Sequence, residues 1–225
     1  MKLGSVTALD QAWRERRPVA FAKNLEDGSE FILPDKAAPE ALNTAGAQAL
    51  AAGRSGTEMI SGTPWFIEAR NPPPRLILVG AVQIAQALVP MARIAGYDCV
   101  VVDPRAAFCT PERFPETALL REWPEAAFQT LRLEARSAVV TLTHDPKFDE
   151  PALLAALDAP VFYIGALGSR RTHAARLNRL RERAVPETAL TRIQAPVGLN
   201  IGAVGAGEIA VSILAAVIAA RRAMA

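Results

Sequence analysis

From Arg75 onward, unbroken apolar runs alternate with segments of helical periodicity. Arg75-Leu76-Ile77-Leu78-Val79 is a continuous apolar run ending at Gly80, the pattern of a parallel strand buried on both faces. Residues 97–102, 138–142 and 161–164 repeat it, ending at Asp103-Pro104, Thr143-His144-Asp145-Pro146 and Gly165. Between these runs, residues 82–95 have a helical period that stops at Gly96, a residue suited to follow a helix end. Residues 124–131, 151–157, 170–183 and 207–222 read as further helices, the third of them strongly basic. Strands alternating with helices across short connections predict an α/β fold, a Rossmann-like parallel sheet with helices on both faces. Its binding site is expected at the carboxyl ends of the strands.

Before Arg75 no period is sustained. Residues 8–17 suggest a short helix, and 19–22 and 30–33 two strands flanking the turn cluster Glu26-Asp27-Gly28-Ser29. Residues 39–52 are alanine-rich and helical in pattern, and Ile67 ends a last short strand. Asn71-Pro72-Pro73-Pro74 is then a stiff connector, because each proline fixes φ and lacks a backbone donor. The expected division is a small α+β region over residues 1–71 and a Rossmann-like domain over 72–225. No internal repeat is visible.

Composition narrows the function class. A length of 225 residues suits one standard domain with a smaller partner. With 51% hydrophobic and 21% charged residues, a folded core is expected rather than disorder. The 25 basic and 23 acidic residues leave a net charge of only +2, which argues against nucleic acid or a membrane surface as partner. Charged residues from Asp10 to Arg17 interrupt any leader-like apolar run, and the most apolar stretch, residues 209–220, falls short of the roughly 20 residues of a membrane span. A soluble, cytoplasmic protein is expected. Cys99, Cys109, His144 and His173 are the only cysteines and histidines, and their spacing fits neither a zinc finger nor a disulfide framework. Cys99 reads as a core thiol, whereas Cys109, in a loop between Phe108 and Thr110, is a candidate for exposure.

Four segments carry candidate chemistry. Gly80-Ala81-Val82-Gln83-Ile84-Ala85 stands where a dinucleotide fingerprint would stand, and Asp103 ends the next strand where an acidic residue reads a ribose hydroxyl. Val82 occupies the place of the second glycine, so the turn is either a ligand site of unusual form or one kept for its shape. His144 and Asp145 follow a strand directly; either His144 meets a ligand in the crevice, or Asp145 caps a helix beside a histidine satisfied by backbone. In the segment from Gly165 to His173, Gly165 and Gly168 permit a close turn, Ser169 is a natural N-cap, and Arg170 and Arg171 add charge. Amides, dipole and arginines together suit a phosphate; the alternative is a solvated basic face, since Arg176, Arg179, Arg181 and Arg183 follow. His173 reads as a surface residue. The loop Pro196-Val197-Gly198-Leu199-Asn200-Ile201-Gly202-Ala203 either closes over a ligand or simply connects, and Glu208 is well placed for the dipole of the following helix.

Taken together these segments resemble the XdhC/CoxI family, accessory proteins of molybdenum hydroxylases such as xanthine dehydrogenase. The resemblance covers roughly residues 73–222: the Gly80–Leu88 turn, Thr141-Leu142-Thr143-His144-Asp145, the run from Tyr163 to Arg171, the loop 196–203 and Glu208–Ile213. It implies a chaperone that binds molybdenum cofactor, as molybdopterin or its dinucleotide form, and helps it acquire a sulfido ligand from a cysteine desulfurase. The cofactor is then delivered to an apo molybdenum hydroxylase, and a homodimer is in keeping with the family. The implied binding residues are Gly80, Gln83, Asp103, His144, Asp145, Gly165, Gly168, Ser169, Arg170, Arg171, Asn200 and Gly202, with no catalytic residue and no metal ligand. In this reading Arg170 and the Ser169 helix start hold phosphate, Asp103 meets a ribose or pterin hydroxyl, and His144 faces the reactive end of the cofactor. The family often has histidine at the position of Gln83 and aspartate at that of Asn200; Ala206 and Gly207 replace a more usual proline and glutamate. The first 70 residues lack the glycine- and cysteine-containing loop of longer members. Two alternatives stand beside the chaperone: an NAD(P)-dependent oxidoreductase, and a protein-binding Rossmann module whose ligand site has decayed.

Overall fold

The computed structural model describes residues 1–223, which form two compact units divided at Pro72 and Pro73. The first unit contains α1 (Leu3–Arg14), β1 (Val19–Asn24), β2 (Glu30–Leu33), α2 (Glu40–Ala52), β3 (Gly56–Ile60) and β4 (Thr63–Arg70). Its four strands make an antiparallel sheet in the order β2-β1-β4-β3. Alternation along β1 sorts its side chains: Val19 and Phe21 pack with Leu9 and Ala12 of α1, while Ala20 and Ala22 pack with Leu42, Ala45 and Ala49 of α2. The strand expected to end at Ile67 runs on to Arg70, because β1 pairs with it from Asn24 opposite Trp65 to Val19 opposite Arg70. Its hairpin partner β3 was not expected; only Ile60 of that strand is buried, so it carries no apolar pattern to read.

The second unit contains β5 (Arg75–Val79), α3 (Gln83–Ile94), β6 (Asp98–Val102), β7 (Ala118–Leu120), α4 (Pro124–Thr130), β8 (Ser137–Thr141), α5 (Pro146–Leu157), β9 (Tyr163–Ala166), α6 (Arg170–Glu182), α7 (Glu187–Leu190), β10 (Ile193–Gln194) and α8 (Ala206–Arg222). Its six strands are parallel, in the order β10-β9-β8-β5-β6-β7. The pleat again divides the core. Leu76, Leu78, Val101 and Val140 face α3 and α8, whereas Ile77, Val79, Val100 and Val139 face α4, α5 and α6. Full burial is worth about 1.5–3 kcal/mol for each such side chain, so the two-sided core dominates the stability of this unit. The chain moves outward from β5 through β6 to β7, then returns to the other side of β5 with β8, β9 and β10. The reversal opens a crevice at the carboxyl ends of β5 and β8, the place where such sheets bind ligands.

Two boundaries differ from the sequence pattern for identifiable reasons. α5 begins five residues earlier than the expected 151, because the Asp145 carboxylate accepts the Lys147 N–H at 2.9 Å and Pro146 is at home in a first turn. β9 carries Gly165 inside it rather than ending there; a Cβ at Gly165 would lie 2.6 Å from Val197 Cγ2, so the strand passes close beneath the later loop. Among the described residues no helix is long and apolar enough to cross a membrane.

Candidate functional site

The turn after β5 is built on Gly80, whose φ of +115° suits glycine; a Cβ there would stand 2.6 Å from Thr143 Cγ2. The turns after β5 and β8 are therefore in direct contact. Gln83 is exposed at the first helical position of α3. Asp103 is wholly buried. Its Oδ2 accepts from the Ala81 amide at 2.8 Å and Arg105 Nη2 at 2.7 Å, and its Oδ1 accepts from the backbone N and Nε of Arg105, both at 2.9 Å. Burial pushes its pKa up, but the Arg105 and Ala81 hydrogen bonds outweigh it and hold the carboxyl below its ordinary range. The acid assigned to a ribose or pterin hydroxyl thus spends both oxygens inside the chain, closing the Gly80 turn and fixing Arg105.

After β8, His144 is exposed and has a φ of +64°, a backbone region uncommon outside glycine. Asp145 is the α5 cap described above, the second of the roles its position allowed. Beneath this loop Thr143 Oγ1 donates to Asp149 Oδ1 at 2.7 Å, and Asp149 Oδ2 lies 3.6 Å from Arg176 Nη2. Arg176 Nη2 in turn donates to the Leu167 carbonyl at 2.8 Å. Asp149 and Arg176 are 1% and 2% exposed, so a buried polar chain ties the loop after β8 to the loop after β9. Burial is the main influence on Asp149 and raises its pKa; Thr143 and Arg176 oppose it. Among the described residues, Asp149 Oδ2, Arg176 Nη1 and His173 Nδ1 are buried without a hydrogen-bond partner. The basic stretch of α6 is accordingly no uniform solvated face. Arg176 is inside, Arg179 pairs with the buried Glu150, and Arg181 pairs with Glu187. His173, read as a surface residue, is half-buried.

The corner after β9 is formed by Gly168, with φ +134°, and by Ser169, whose Oγ accepts the Thr172 amide at 3.1 Å and caps α6. Arg170 and Arg171 follow at the first two helical positions; both are exposed, and neither has an ion-pair or hydrogen-bond partner among the described residues. A cavity of about 370 Å³ opens beside them, lined by Leu167, Arg170, Leu199, Asn200, Gly202 and Ile209, among others. Its far wall is the loop 196–203, stitched to α8: Ser212 Oγ donates to the Leu199 carbonyl at 2.6 Å, and the Leu199 amide donates to the Ser212 carbonyl at 3.1 Å. Gly198, at φ +93°, allows this approach, since a Cβ there would lie 2.2 Å from Ser212 Oγ. Glu208 accepts the Val204 amide at 2.8 Å and so holds the entry to α8.

The structure therefore brings Arg170, Asn200 and Gly202 onto one cavity, with Gly165, Gly168 and Ser169 shaping the strand and turn beside it. Gly80, Gln83, Asp103, His144 and Asp145 gather at the neighbouring ends of β5, β6 and β8. Arg171 does not line the cavity. Cys109 is completely buried, contrary to the exposure its loop context suggested; it packs with Phe114 in the α3-side core, and burial raises its pKa. Cys99 is the core thiol expected, pushed up to about 12 by burial. Among the described residues no three metal-ligating side chains cluster.

Known proteins share these features. The XdhC Rossmann domain matches residues 76–217. A protein of Bacillus subtilis (strain 168) named as a probable xanthine dehydrogenase subunit is 35% identical over 161 residues, 71% of this chain and 47% of that protein. The molybdenum cofactor insertion chaperone PaoD of Escherichia coli (strain K12) is 35% identical over 147 residues, 65% of this chain and 40% of that protein. The chain spans less than half the length of these curated relatives. A crystal structure of a xanthine dehydrogenase from Bacillus halodurans shares the fold, with a TM-score of 0.72 at 24% identity, over 98% of this chain and 64% of that one.

Proposed function

This chain belongs to the XdhC family, and from that premise we propose that it is a non-catalytic chaperone that binds molybdenum cofactor. It assists the sulfuration of that cargo and its insertion into an apo-hydroxylase of the xanthine dehydrogenase or CO dehydrogenase type. The observation that carries the reading is the cavity beside the α6 N-terminus, where Arg170 is exposed and, among the described residues, unpaired, next to a capped helix start and an apolar wall of Leu167, Leu199 and Ile209. First-turn amides and a free guanidinium suit the phosphate of a pterin cofactor, and the apolar wall suits its ring system. Arg170 with the Ser169 turn holds the phosphate, Asn200 and Gly202 border the ring, and His144 is an exposed polar group at the adjoining strand end. A cytoplasmic setting, a cysteine desulfurase as sulfur donor and a homodimer complete the proposal.

The test is to mix the purified protein with molybdenum cofactor, remove free cofactor, and measure both what is retained and the activity restored to an apo-hydroxylase. Arg170→Glu should lower retention at least tenfold. Absence of both retention and restored activity in the unaltered protein would sink the reading. The oxidoreductase alternative is weaker on geometry, because Asp103, its ribose-reading acid, is buried and fully engaged by Ala81 and Arg105.

A further inference from the structure

α8 packs on the outside of the parallel sheet, yet the arc it turns to solvent is apolar. From Ile209 to Ala220, about three turns, the helix has no charged residue. Ala210, Ile213 and Val217 point inward and are buried. The opposite arc consists of Val211, Leu214, Ala215, Ile218 and Ala219. Val211 is 48% exposed, Ala219 is exposed, and Leu214, Ala215 and Ile218 are half-buried. The adjacent helix α3 widens this face: Ile84, Ala87 and Met91 are half-buried against the same cluster, and Ile94 is 89% exposed. On the other side of the sheet α6 turns Arg170, Arg171, Arg181 and Glu182 outward. A helix that is apolar all round is ordinarily covered all round.

The charges at the two ends of the arc say what covers it. Glu208, Val211, Ala215, Ile218 and Arg222 follow one another at alternating steps of three and four, the spacing of a helix-pairing seam. Glu208 and Arg222 each stand seven positions from Ala215. Two copies of α8 laid antiparallel about Ala215 therefore set Glu208 of one across from Arg222 of the other. The same operation sets Val211 across from Ala219, a larger side chain against a small one, and Ala215 on the two-fold axis permits close approach. The patch is thus complementary to itself, as a two-fold interface requires. A parallel pairing would put Glu208 against Glu208 and Arg222 against Arg222, and would align the two helix dipoles. Both end charges are available. Glu208 accepts the Val204 and Gly205 amides through Oε2, leaving Oε1 without a partner among the described residues. Arg222 is exposed and has no ion-pair partner among the described residues. Apolar burial supplies the attraction, and the end charges fix the orientation.

We propose that the outer face of α8, widened by α3, is a self-association surface on which a second copy of this chain docks antiparallel about Ala215. The inference deepens the homodimer of the reading above by giving it a surface, and it needs no bound cofactor. The experiment is sedimentation velocity of the full chain from low to high micromolar concentration. The mass of two chains should appear at the upper end and fall to that of one on dilution. Val211→Glu puts a carboxylate in the middle of the face and should weaken association at least tenfold. Its melting temperature, measured at a dilution where both proteins are single chains, should match that of the unaltered protein. Arg222→Glu sets like charges across the pair and should also weaken association. Ala215→Cys meets itself on the axis and should form a disulfide-linked pair under mild oxidation with diamide, because Cys99 and Cys109 are buried. Ala174→Cys, exposed on α6, should cross-link far more slowly under the same conditions. A single chain at every concentration, association indifferent to Val211→Glu, or equal cross-linking at positions 215 and 174 would each overturn the surface. So would a protein that stays a single chain but loses binding to an apo-hydroxylase on Val211→Glu, since the face would then belong to the hydroxylase. Cofactor retention without association would leave the chaperone reading standing and remove this one; association without cofactor retention would do the reverse.

Discussion

Asp103 and Asp149 are both buried near the same sheet edge, yet their titrations pull stability in opposite directions. For Asp103, burial raises the pKa but the Arg105 and Ala81 hydrogen bonds more than reverse it, so the folded value lies below the unfolded one. Its contribution is fully present above the unfolded pKa of about 3.9 and is lost as pH falls through the lower folded value. For Asp149, burial dominates and the folded value is raised. The native state then holds that proton more tightly than the unfolded chain, so its effect favours folding at low pH and is lost as pH rises through the folded value. Urea unfolding at a series of pH values separates the two. Asp103→Asn should flatten the decline of stability below about pH 4, whereas Asp149→Asn should act above about pH 4, removing the loss of stability that accompanies Asp149 deprotonation as pH rises. Parallel acid profiles for the wild type and Asp103→Asn would show that the carboxylate is not held as described. The same residues mark where reading the sequence stops. Asp103 stands at a strand end, which made a ligand contact its natural assignment; that its partner is Arg105, two positions on, is a matter of side-chain direction that spacing does not encode.

At the scale of elements, β5, β6, β8 and β9 were legible because strands buried on both faces need unbroken apolar runs. The short β7, α7 and β10 were not, since two to four residues carry no period. α6 was legible as a helix, but the solvated basic face offered as the alternative for its later arginines does not hold for Arg176. Arg176 lies four residues before Leu180, which is wholly buried, and so belongs to the inward stripe despite its charge. There it joins α6 to α5 through Asp149 and to the end of β9 through the Leu167 carbonyl. Removing one member of a buried pair leaves an uncompensated charge, a loss of about 3–5 kcal/mol, whereas replacing both by apolar groups is close to neutral. Arg176→Met should therefore lower the unfolding free energy by about that amount, and Arg176→Met combined with Asp149→Leu should recover most of it. Additive losses in the double variant would mean that the two side chains stabilise the corner independently.

At the scale of the molecule, the two units have separate means of support. The cluster around Leu42, Trp65 and Ile67, with its smaller companion at Leu9 and Phe21, is drawn from residues before Pro72. The two clusters flanking the parallel sheet are drawn from residues after Pro73, as are the cavity beside Arg170 and the match to the XdhC Rossmann domain. A unit that carries both a complete core and its own site has what independent folding requires. We therefore propose the triple proline as a domain boundary, and expect residues 73–225 expressed alone to unfold in a single cooperative transition. The urea dependence of that transition should be shallower than for the whole chain, because less surface is exposed on unfolding. Cofactor retention by the fragment should stay within a few-fold of the full chain, since Arg170, Asn200 and Ile209 all lie within it. A fragment with native helix content but no cooperative transition would show that the sheet depends on the first 72 residues for its packing.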